Sequence, residues 1–383
     1  MASHVLPKLT LKPFPEIDMR HVLVLTDDTA MLQHATHATP NLHHGYCTDD
    51  TARALIAGVL FCDLQPGGQV VGGGDSGVPD GLVVAMQRYL AFLAYAFNPE
   101  TGRFRNFMEY DRSWAEEVGS EDSHARALWA LGVAVHRGHI ADIQDLAGKV
   151  FRDALPAVEG FEYLRPAAYA LLGLHEYLRA DDNNGLAVAL RRTLADRLMS
   201  VWRENATDDW PWWEDQVTWG NPKLPHAMLL AGASLGREEM IDAALEALRW
   251  LLEVQTGDEG QLSIIGNRGW FVRGRQRARF DQQPIEAKGL VQACLAAALV
   301  TGDSFWVDQA QRCFGWFRGN NDVGAVMYNA DTGGCQDGLG PEGAAPNQGA
   351  ESTLAYVLSV LELHLYDRAQ KASEDLWPYL ASR

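Results

Sequence analysis

Cysteine is scarce in this chain, and the few cysteines lie far apart. They are Cys47, Cys62, Cys294, Cys313 and Cys335, so their number is odd and no Cys-x-x-Cys pair occurs. A zinc ribbon needs closely spaced pairs, and a disulfide framework is typical of short chains with an even set. The sequence therefore excludes a zinc ribbon and argues against a disulfide-stapled fold.

Basic residues are also in short supply. The chain has 32 Lys and Arg against 50 Asp and Glu, a net charge of -18, whereas nucleic acids and anionic membranes are bound through basic surfaces. The first residues lack the pattern of a signal peptide, and no apolar run approaches the ~18 residues of a membrane span. We expect a soluble, cytoplasmic protein that binds neither nucleic acid nor membrane.

Strands are rare in the hydrophobic pattern. No strand–helix alternation and no Gly-rich loop after a strand occurs, which argues against a doubly wound sheet. Instead, amphipathic helices alternate with Ala/Leu-rich helices that start near residues 49, 121, 163, 223, 284 and 347. Helices that are apolar nearly all round must be covered on every side. We predict an all-α fold, an (α/α)6 barrel (six-hairpin toroid), with residues 1–15 as an arm and 16–383 as one domain.

Several element bounds follow from the same pattern. A short helix is predicted over 16–25, a short strand over 103–110, and two final helices over 347–364 and 366–380. The Gly-rich stretch 65–81 predicts a flexible surface loop. Long loops, which are usually functional, are expected to cover one end of the barrel, at residues 98–119, 255–283 and 319–346.

Polar side chains open several of the apolar helices, most densely between Gly119 and Gly132. Buried charge is costly unless it is paired or used, and parallel inner helices would bring all these helix starts to one cavity. Carboxylates, amides and Trp at such a mouth suit a carbohydrate. The predicted substrate-binding residues are Asp49, Arg53, Glu121, His124, Arg126, Trp212, Trp213, Glu214, His226, Asp281, Gln283, Asn347 and Gln348.

The tryptophans of this set permit two interpretations. Trp212 and Trp213 either fill the core or form a platform for sugar rings, and their position in a polar loop favours the platform.

The chain resembles the six-hairpin glycosidase-like module in four motifs, which are HGYCTDDTARAL (44–55), GSEDSHARALWALG (119–132), DQQPIEA (281–287) and NQGAESTLA (347–355). The resemblance covers roughly residues 16–365. Such modules often accompany bacterial glycosyltransferases and mannoside-processing enzymes. The resemblance therefore implies an (α/α)6 fold, a carbohydrate-active function and an association with a glycosyltransferase.

The candidate catalytic carboxylates are Asp122, Glu351, Asp50 and Glu286. Glu351 lies one turn inside an apolar helix, where an unpaired carboxylate would hold its proton tightly, as a general acid must. The alternative is an ion pair with Arg53 or Arg126. Asp122 could likewise pair with Arg126, four residues on, and one member of Asp49–Asp50 is expected to cap its helix.

Three functions fit these residues. The first is a glycoside hydrolase for manno- or gluco-configured oligosaccharides, with Glu351 or Asp122 as acid and Asp50 or Glu286 as base; inversion is favoured by fold analogy. The second is a sugar epimerase or isomerase with His44, His124 or His226 as proton shuttle. The third is a non-catalytic glycan-binding partner of a glycosyltransferase. Two imidazoles facing each other would favour the second function, and two carboxylates the first.

Other properties are left open or expected to be absent. His43, His44 and Cys47 lack the spacing of a known ligand set, so no metal is expected, and no cofactor motif occurs. The sugar, its linkage, water or phosphate as acceptor, and the oligomeric state are not determined by the sequence.

Overall fold

Helices dominate the computed structural model, which describes residues 5–65, 79 and 81–380. Within these residues the α-helices are α1 (Arg20–Val24), α2 (Thr48–Asp63), α3 (Leu82–Ala96), α4 (Glu121–Arg137), α5 (Ala141–Ala154), α6 (Leu164–Ala180), α7 (Gly185–Asn205), α8 (Lys223–Leu235), α9 (Glu238–Val254), α10 (Pro284–Thr301), α11 (Ser304–Gly315) and α12 (Ala350–Leu380).

Six of these helices form a closed inner ring. Going round it, α2 packs on α4, α4 on α6, α6 on α8, α8 on α10, α10 on α12, and α12 returns to α2. In helix α10, every residue from Pro284 to Ala298 is buried. A helix of the inner ring is covered on all sides, which is why its sequence is apolar all round. The predicted (α/α)6 barrel is confirmed.

The outer layer consists of amphipathic helices that bury one face. Helices α3, α5, α7, α9 and α11 each pack on the inner helix that precedes them in the chain. Beside α12 this place is taken by α1 and the N-terminal segment, in which Pro7 and Pro15 accept hydrogen bonds from Tyr366 and His364. The helix predicted over 16–25 is shorter than expected, since α1 extends only over Arg20–Val24.

Each strand is two residues long, and the strands form two-stranded sheets that connect loops. The antiparallel pairs are β1 (Ala35–Thr36) with β2 (Thr39–Pro40), β3 (Tyr46–Cys47) with β6 (Phe107–Met108), β4 (Phe97–Asn98) with β5 (Arg103–Phe104), β7 (Gln216–Val217) with β8 (Phe271–Val272), β9 (Tyr328–Asn329) with β10 (Gly334–Cys335), and β11 (Leu339–Gly340) with β12 (Gly343–Ala344). The single strand predicted over 103–110 is wrong, because its two halves pair with different partners.

Two other predictions concern the C-terminal helices and the Gly-rich stretch. The last two predicted helices are one helix, α12, since neither Gly nor Pro interrupts the chain between Ala350 and Trp377. The flexible loop predicted over 65–81 lies almost wholly outside the described residues.

Helix α10 also corrects the expectation about apolar runs. Its 18 residues are long and apolar enough to cross a membrane, but 83% of this window is buried inside the protein. A core helix that is covered on every side needs the same composition as a membrane span.

Helices α4 and α6 approach each other through two glycines. A Cβ atom on Gly132 would lie 2.4 Å from the carbonyl oxygen of Gly173, and one on Gly173 would lie 2.9 Å from the backbone of Leu128. Backbone atoms cannot yield as a flexible side chain does. The close packing of these helices therefore requires glycine at both positions.

We predict that Gly132→Ala destabilises the protein by about 1–3 kcal/mol, because the new methyl group overpacks the α4–α6 contact. Gly185→Ala is the matched control, since a Cβ there meets no atom within 4 Å, and it should change stability by less than about 1 kcal/mol. Urea unfolding measures both. Equal effects of the two substitutions would contradict the tight backbone contact.

Candidate active site

A buried arginine joins the first and last helices of the inner ring. Arg53 of α2 is almost fully buried, and its NH2 atom donates to Asp49 Oδ2 and to Glu351 Oε2, both at 2.9 Å. Its NH1 atom donates to Asp50. Three carboxylates from α2 and α12 therefore share one guanidinium, and the expected ion pair of Glu351 with Arg53 is present.

The start of α2 explains how two adjacent aspartates reach this arginine. Cys47 occupies the N-cap position in extended conformation without a side-chain cap, and the Thr48 hydroxyl donates to the carbonyl of Arg105. Neither aspartate is the N-cap. Both lie in the first turn, where the helix dipole favours negative charge, and their spacing of three and four residues from Arg53 puts them on its side of the helix.

A second buried arginine extends the cluster into α4. Arg126 Nε donates to Asp122 Oδ2 at 2.6 Å and lies 3.9 Å from Asp49 Oδ2. Ser120 caps this helix by accepting a hydrogen bond from Ser123 N. The result is a chain of alternating charges that runs Glu351–Arg53–Asp49–Arg126–Asp122 across three inner helices.

This geometry changes which carboxylates are neighbours. The sequence suggested Glu351 as the group opposite Asp122, but Asp49 lies between them. The bonded oxygens of Asp49 and Glu351 touch one nitrogen, so they are no more than twice 2.9 Å apart. Asp122 and Glu351 share no guanidinium, and the structure places two arginines between them.

Burial and the nearby arginines shift the pKa values of the three aspartates in different directions. Burial raises the pKa of Asp122 above its usual range, although Arg126 opposes the shift, and burial raises the pKa of Asp50 to about 7 against the effect of Arg53. Burial also acts on Asp49, but Arg53 and Arg126 outweigh it and lower its pKa. The cluster therefore offers both proton-bearing and ionised carboxylates near neutral pH.

These carboxylates differ in access to solvent. The Glu351 side chain is 44% exposed, that of Asp49 23% and that of Asp122 20%. Asp50 and Glu286 are buried. Glu286 accepts hydrogen bonds from Gly220 N and from the backbone and side chain of Asn221, so both of its oxygens are engaged in holding the loop before α8.

The predicted histidines do not face each other. Both ring nitrogens of His124 bond backbone groups, those of Phe104 and Ala154, and burial lowers its pKa to about 3. His226 is buried, and burial holds its pKa well below the usual value. His44 lies edge-on to His34, with ring centroids 4.6 Å apart.

Two predicted tryptophans lie in the core. Trp212 and Trp213 are fully buried and pack edge-on against each other, with centroids 5.2 Å apart. The sugar platform predicted from their loop position is wrong for these residues, since neither ring has a free face. Their neighbour Glu214 binds the guanidinium of Arg165.

The remaining predicted binding residues hold loops. Glu121 accepts hydrogen bonds from the backbone of Glu162 and Tyr163. Gln283 donates to Asp281, which has a positive φ of 67°. Asn347 and Gln348 precede α12, and their side chains accept from His37 N and Thr332 Oγ1. These contacts account for the polar side chains of all five without a ligand.

Other residues around the cluster were not predicted from the sequence. Trp219 is 38% exposed, and Tyr169 stacks under the guanidinium of Arg126 at 4.1 Å. Lys223 and Lys288 are buried beside the ring of Trp129; burial lowers the pKa of Lys223 to about 7. Lys288 could have been identified from the sequence, because it is a lysine within an otherwise apolar helix pattern.

One group has the composition of a metal site. Ligand atoms of Cys47, Asp49 and Asp50 lie within 4.8 Å of one another. The Cys47 thiol donates to both carboxylates, and burial raises its pKa well above the usual value. Because Arg53 already pairs with the two carboxylates, these residues fit a protein cation better than a metal ion.

We predict that Arg53→Met destabilises the protein by about 3–5 kcal/mol at pH 8, because it leaves buried carboxylates without a counter-charge. Their pKa values then rise above those of the unfolded chain, so stability is lost as the pH increases, and the loss at pH 5 should be smaller. Arg203→Met, in a pair with Glu239 in which both side chains are exposed, is the control and should have little effect. Urea unfolding that shows equal losses for both variants would contradict this role of Arg53.

Comparisons with known proteins find similar folds but no similar sequences. No family model matches the chain, and no curated protein matches it. A sugar epimerase from a ruminal bacterium superposes with a TM-score of 0.69 at 12% identity, covering 91% of this chain and 95% of that one. The cellobiose 2-epimerase of Bacillus thermoamylovorans gives 0.68 at 10% identity, covering 90% and 94%.

A third similar structure is an alpha-1,6-mannanase of Salegentibacter. It has a TM-score of 0.56 at 10% identity and covers 91% of this chain and 96% of that one. The structure is that of an inactive variant, with two consecutive aspartates replaced by alanine, in complex with alpha-1,6-mannotetrose. The chain thus has the six-hairpin (α/α)6 toroid fold that its motifs resemble.

Proposed function

We propose that the protein is a carbohydrate-active enzyme and that it hydrolyses glycosides of manno- or gluco-configured oligosaccharides. The observation that carries this proposal is the charge chain at one end of the barrel, in which carboxylates from α2, α4 and α12 meet around Arg53 and Arg126. Acetal hydrolysis needs one carboxylic acid and one carboxylate close together. Similarity to structures that include epimerases and mannanases supports a sugar substrate.

Asp122 is the proposed general acid. Burial raises its pKa, which favours the protonated form that an acid needs. The Asp122 side chain is 20% exposed, so its carboxyl group can pass a proton to the glycosidic oxygen as the bond breaks.

Glu351 is the proposed general base. It is the most exposed carboxylate of the cluster, and Arg53 is its one hydrogen-bond partner among the described residues, so a water molecule can approach it. Two guanidinium groups separate it from Asp122. We propose inversion by analogy with the fold; it requires about 6.5–9.5 Å between the two carboxyl groups, which leaves room for the water.

The adjacent pair Asp49–Asp50 has a supporting role in this proposal. The mannanase variant that lacks two consecutive aspartates is inactive, and this chain has consecutive aspartates at the start of the first inner helix. Asp50 is buried and Asp49 lies between both arginines. We infer that the pair orients the guanidinium groups and that Asp49 contacts a sugar hydroxyl.

The second candidate is a sugar epimerase, favoured by the epimerases among the similar structures. The imidazoles that fit it are His34 and His44, which contact each other, rather than His124 or His226. Burial lowers the pKa of His34, so a neutral base is available. Product analysis by NMR separates the candidates, because an epimerase returns an intact isomer and a hydrolase returns shorter sugars.

We predict that Asp122→Asn and Glu351→Gln each lower kcat/KM by about 100-fold or more, since each removes a proton-transfer step. Glu253→Gln on the exposed face of α9 is the control and should keep full activity. The assay is a screen of aryl glycosides and manno- and gluco-oligosaccharides, with and without phosphate, followed by NMR. A well-folded wild-type protein that turns over no sugar would refute the enzyme proposal and leave the non-catalytic glycan-binding role.

A pH profile tests the role of Asp122 separately. The wild-type kcat/KM should fall on the alkaline side as Asp122 loses its proton, at a pH above the usual carboxyl range because its pKa is raised. In Asp122→Asn this limb should disappear, and dinitrophenyl glycosides, whose leaving group needs no acid, should retain most of their rate. An unchanged alkaline limb in the variant would assign the acid to another residue.

A further inference from the structure

An exposed tryptophan lies beside the charge chain. Trp219 belongs to residues 218–221, here called the Trp219 loop, which leads into α8. Its ring lies 5.8 Å from the guanidinium carbon of Arg126 and 5.5 Å from that of Arg165. Arg126 also binds Asp122, so this arginine links the indole to the proposed general acid.

The Trp219 loop is fixed in place by buried groups. Glu286 of α10 accepts hydrogen bonds from Gly220 N and Asn221 N. Arg165 of α6 donates to the carbonyl oxygen of Trp219 and to the Asn221 side chain. Gly220 has a positive φ of 60°, which favours glycine there. The indole is therefore held in position although much of its surface is free.

Two unpaired polar atoms belong to Arg126 and to Asp122, the carboxylate that Arg126 binds. Arg126 is almost fully buried, yet its NH1 atom has no hydrogen-bond partner among the described residues, and the same is true of Asp122 Oδ1. Arg126 NH1 is a donor, and Asp122 Oδ1 accepts when the carboxyl group is ionised and donates when it carries the proton. A buried polar atom without a partner costs free energy, so a ligand that satisfies both is favoured.

We propose that Trp219, Arg126 and Asp122 form a subsite for one pyranose ring, with Glu286 as the residue that positions Trp219. A pyranose has an apolar C–H face and a rim of hydroxyls that donate and accept. The face stacks on the indole, and the rim pairs with Arg126 NH1 and Asp122 Oδ1. This inference rests on the proposed sugar substrate, and it assigns Glu286 a positioning role in place of the base predicted from the sequence.

Trp219 variants test the stacking. Trp219→Ala should raise KM for manno- or gluco-tetraose about tenfold or more, in line with the loss of one aromatic contact, with kcat changed less than about threefold. Trp219→Phe should restore most of the affinity because it keeps an aromatic face. Tyr95→Ala removes another exposed aromatic ring, which belongs to α3, and should leave both constants unchanged. Trp219→Ala that behaves like Tyr95→Ala would overturn the subsite.

Glu286→Gln tests the positioning role. If Glu286 only holds the Trp219 loop, the variant should raise KM and leave kcat and the pH profile close to wild type. A turnover rate lowered by about 100-fold at unchanged KM, as expected when a proton-transfer group is lost, would instead make Glu286 the base and overturn this part of the proposal.

Binding separates this inference from the proposed reaction. Tetraose titration should change the indole fluorescence of the wild-type protein, and Trp219→Phe should lose most of that change. Wild-type protein that binds the sugar through Trp219 but does not turn it over would refute the hydrolase and keep the subsite. If the wild-type protein turns the sugar over and Trp219→Ala binds it unaltered, the subsite is refuted and the hydrolase is kept. Wild-type protein that neither binds nor turns over these sugars would refute both proposals.

Discussion

The need to pair buried charge governs this structure. Arg53 lies inside a ring of apolar helices, where an isolated ion would be very costly, and three carboxylates neutralise it. One of them, Glu351, comes from the last inner helix, while Arg53 itself comes from the first. The contact that balances the charge therefore also joins the two ends of the ring, and the candidate site and the closure of the barrel depend on the same ion pairs.

The rest of the barrel follows from the contrast between its apolar walls and this polar end. Inner helices such as α10 are buried along their length, and glycines such as Gly132 let neighbours approach closely. The inner helices begin at one end, so loops such as 218–221 can be fixed by side chains of other helices. Glu286 shows this arrangement, because it starts α10 yet binds the loop before α8.

Local spacing made part of this predictable. The pairing of Asp122 with Arg126 follows from their separation of four residues, and the helix starts follow from composition. The predictions that failed concern residues whose positions depend on packing between distant parts of the chain. Trp212 and Trp213 look like a surface platform in sequence, but the aromatic cluster around Trp250 buries them. Trp219, which remains exposed, has no pattern that distinguishes it. The order Glu351, Asp49, Asp122 depends on which helix neighbours which around the ring, and spacing within one helix cannot reveal it.

The central claim is that a sugar binds where the charge chain meets the Trp219 loop. The most direct measurement is a crystal structure of Glu351→Gln soaked with a manno- or gluco-tetraose. The account predicts a pyranose ring on the indole of Trp219, with hydroxyls at Arg126 NH1 and the glycosidic oxygen near Asp122. A sugar bound away from Asp122, at another surface of the barrel, would contradict it.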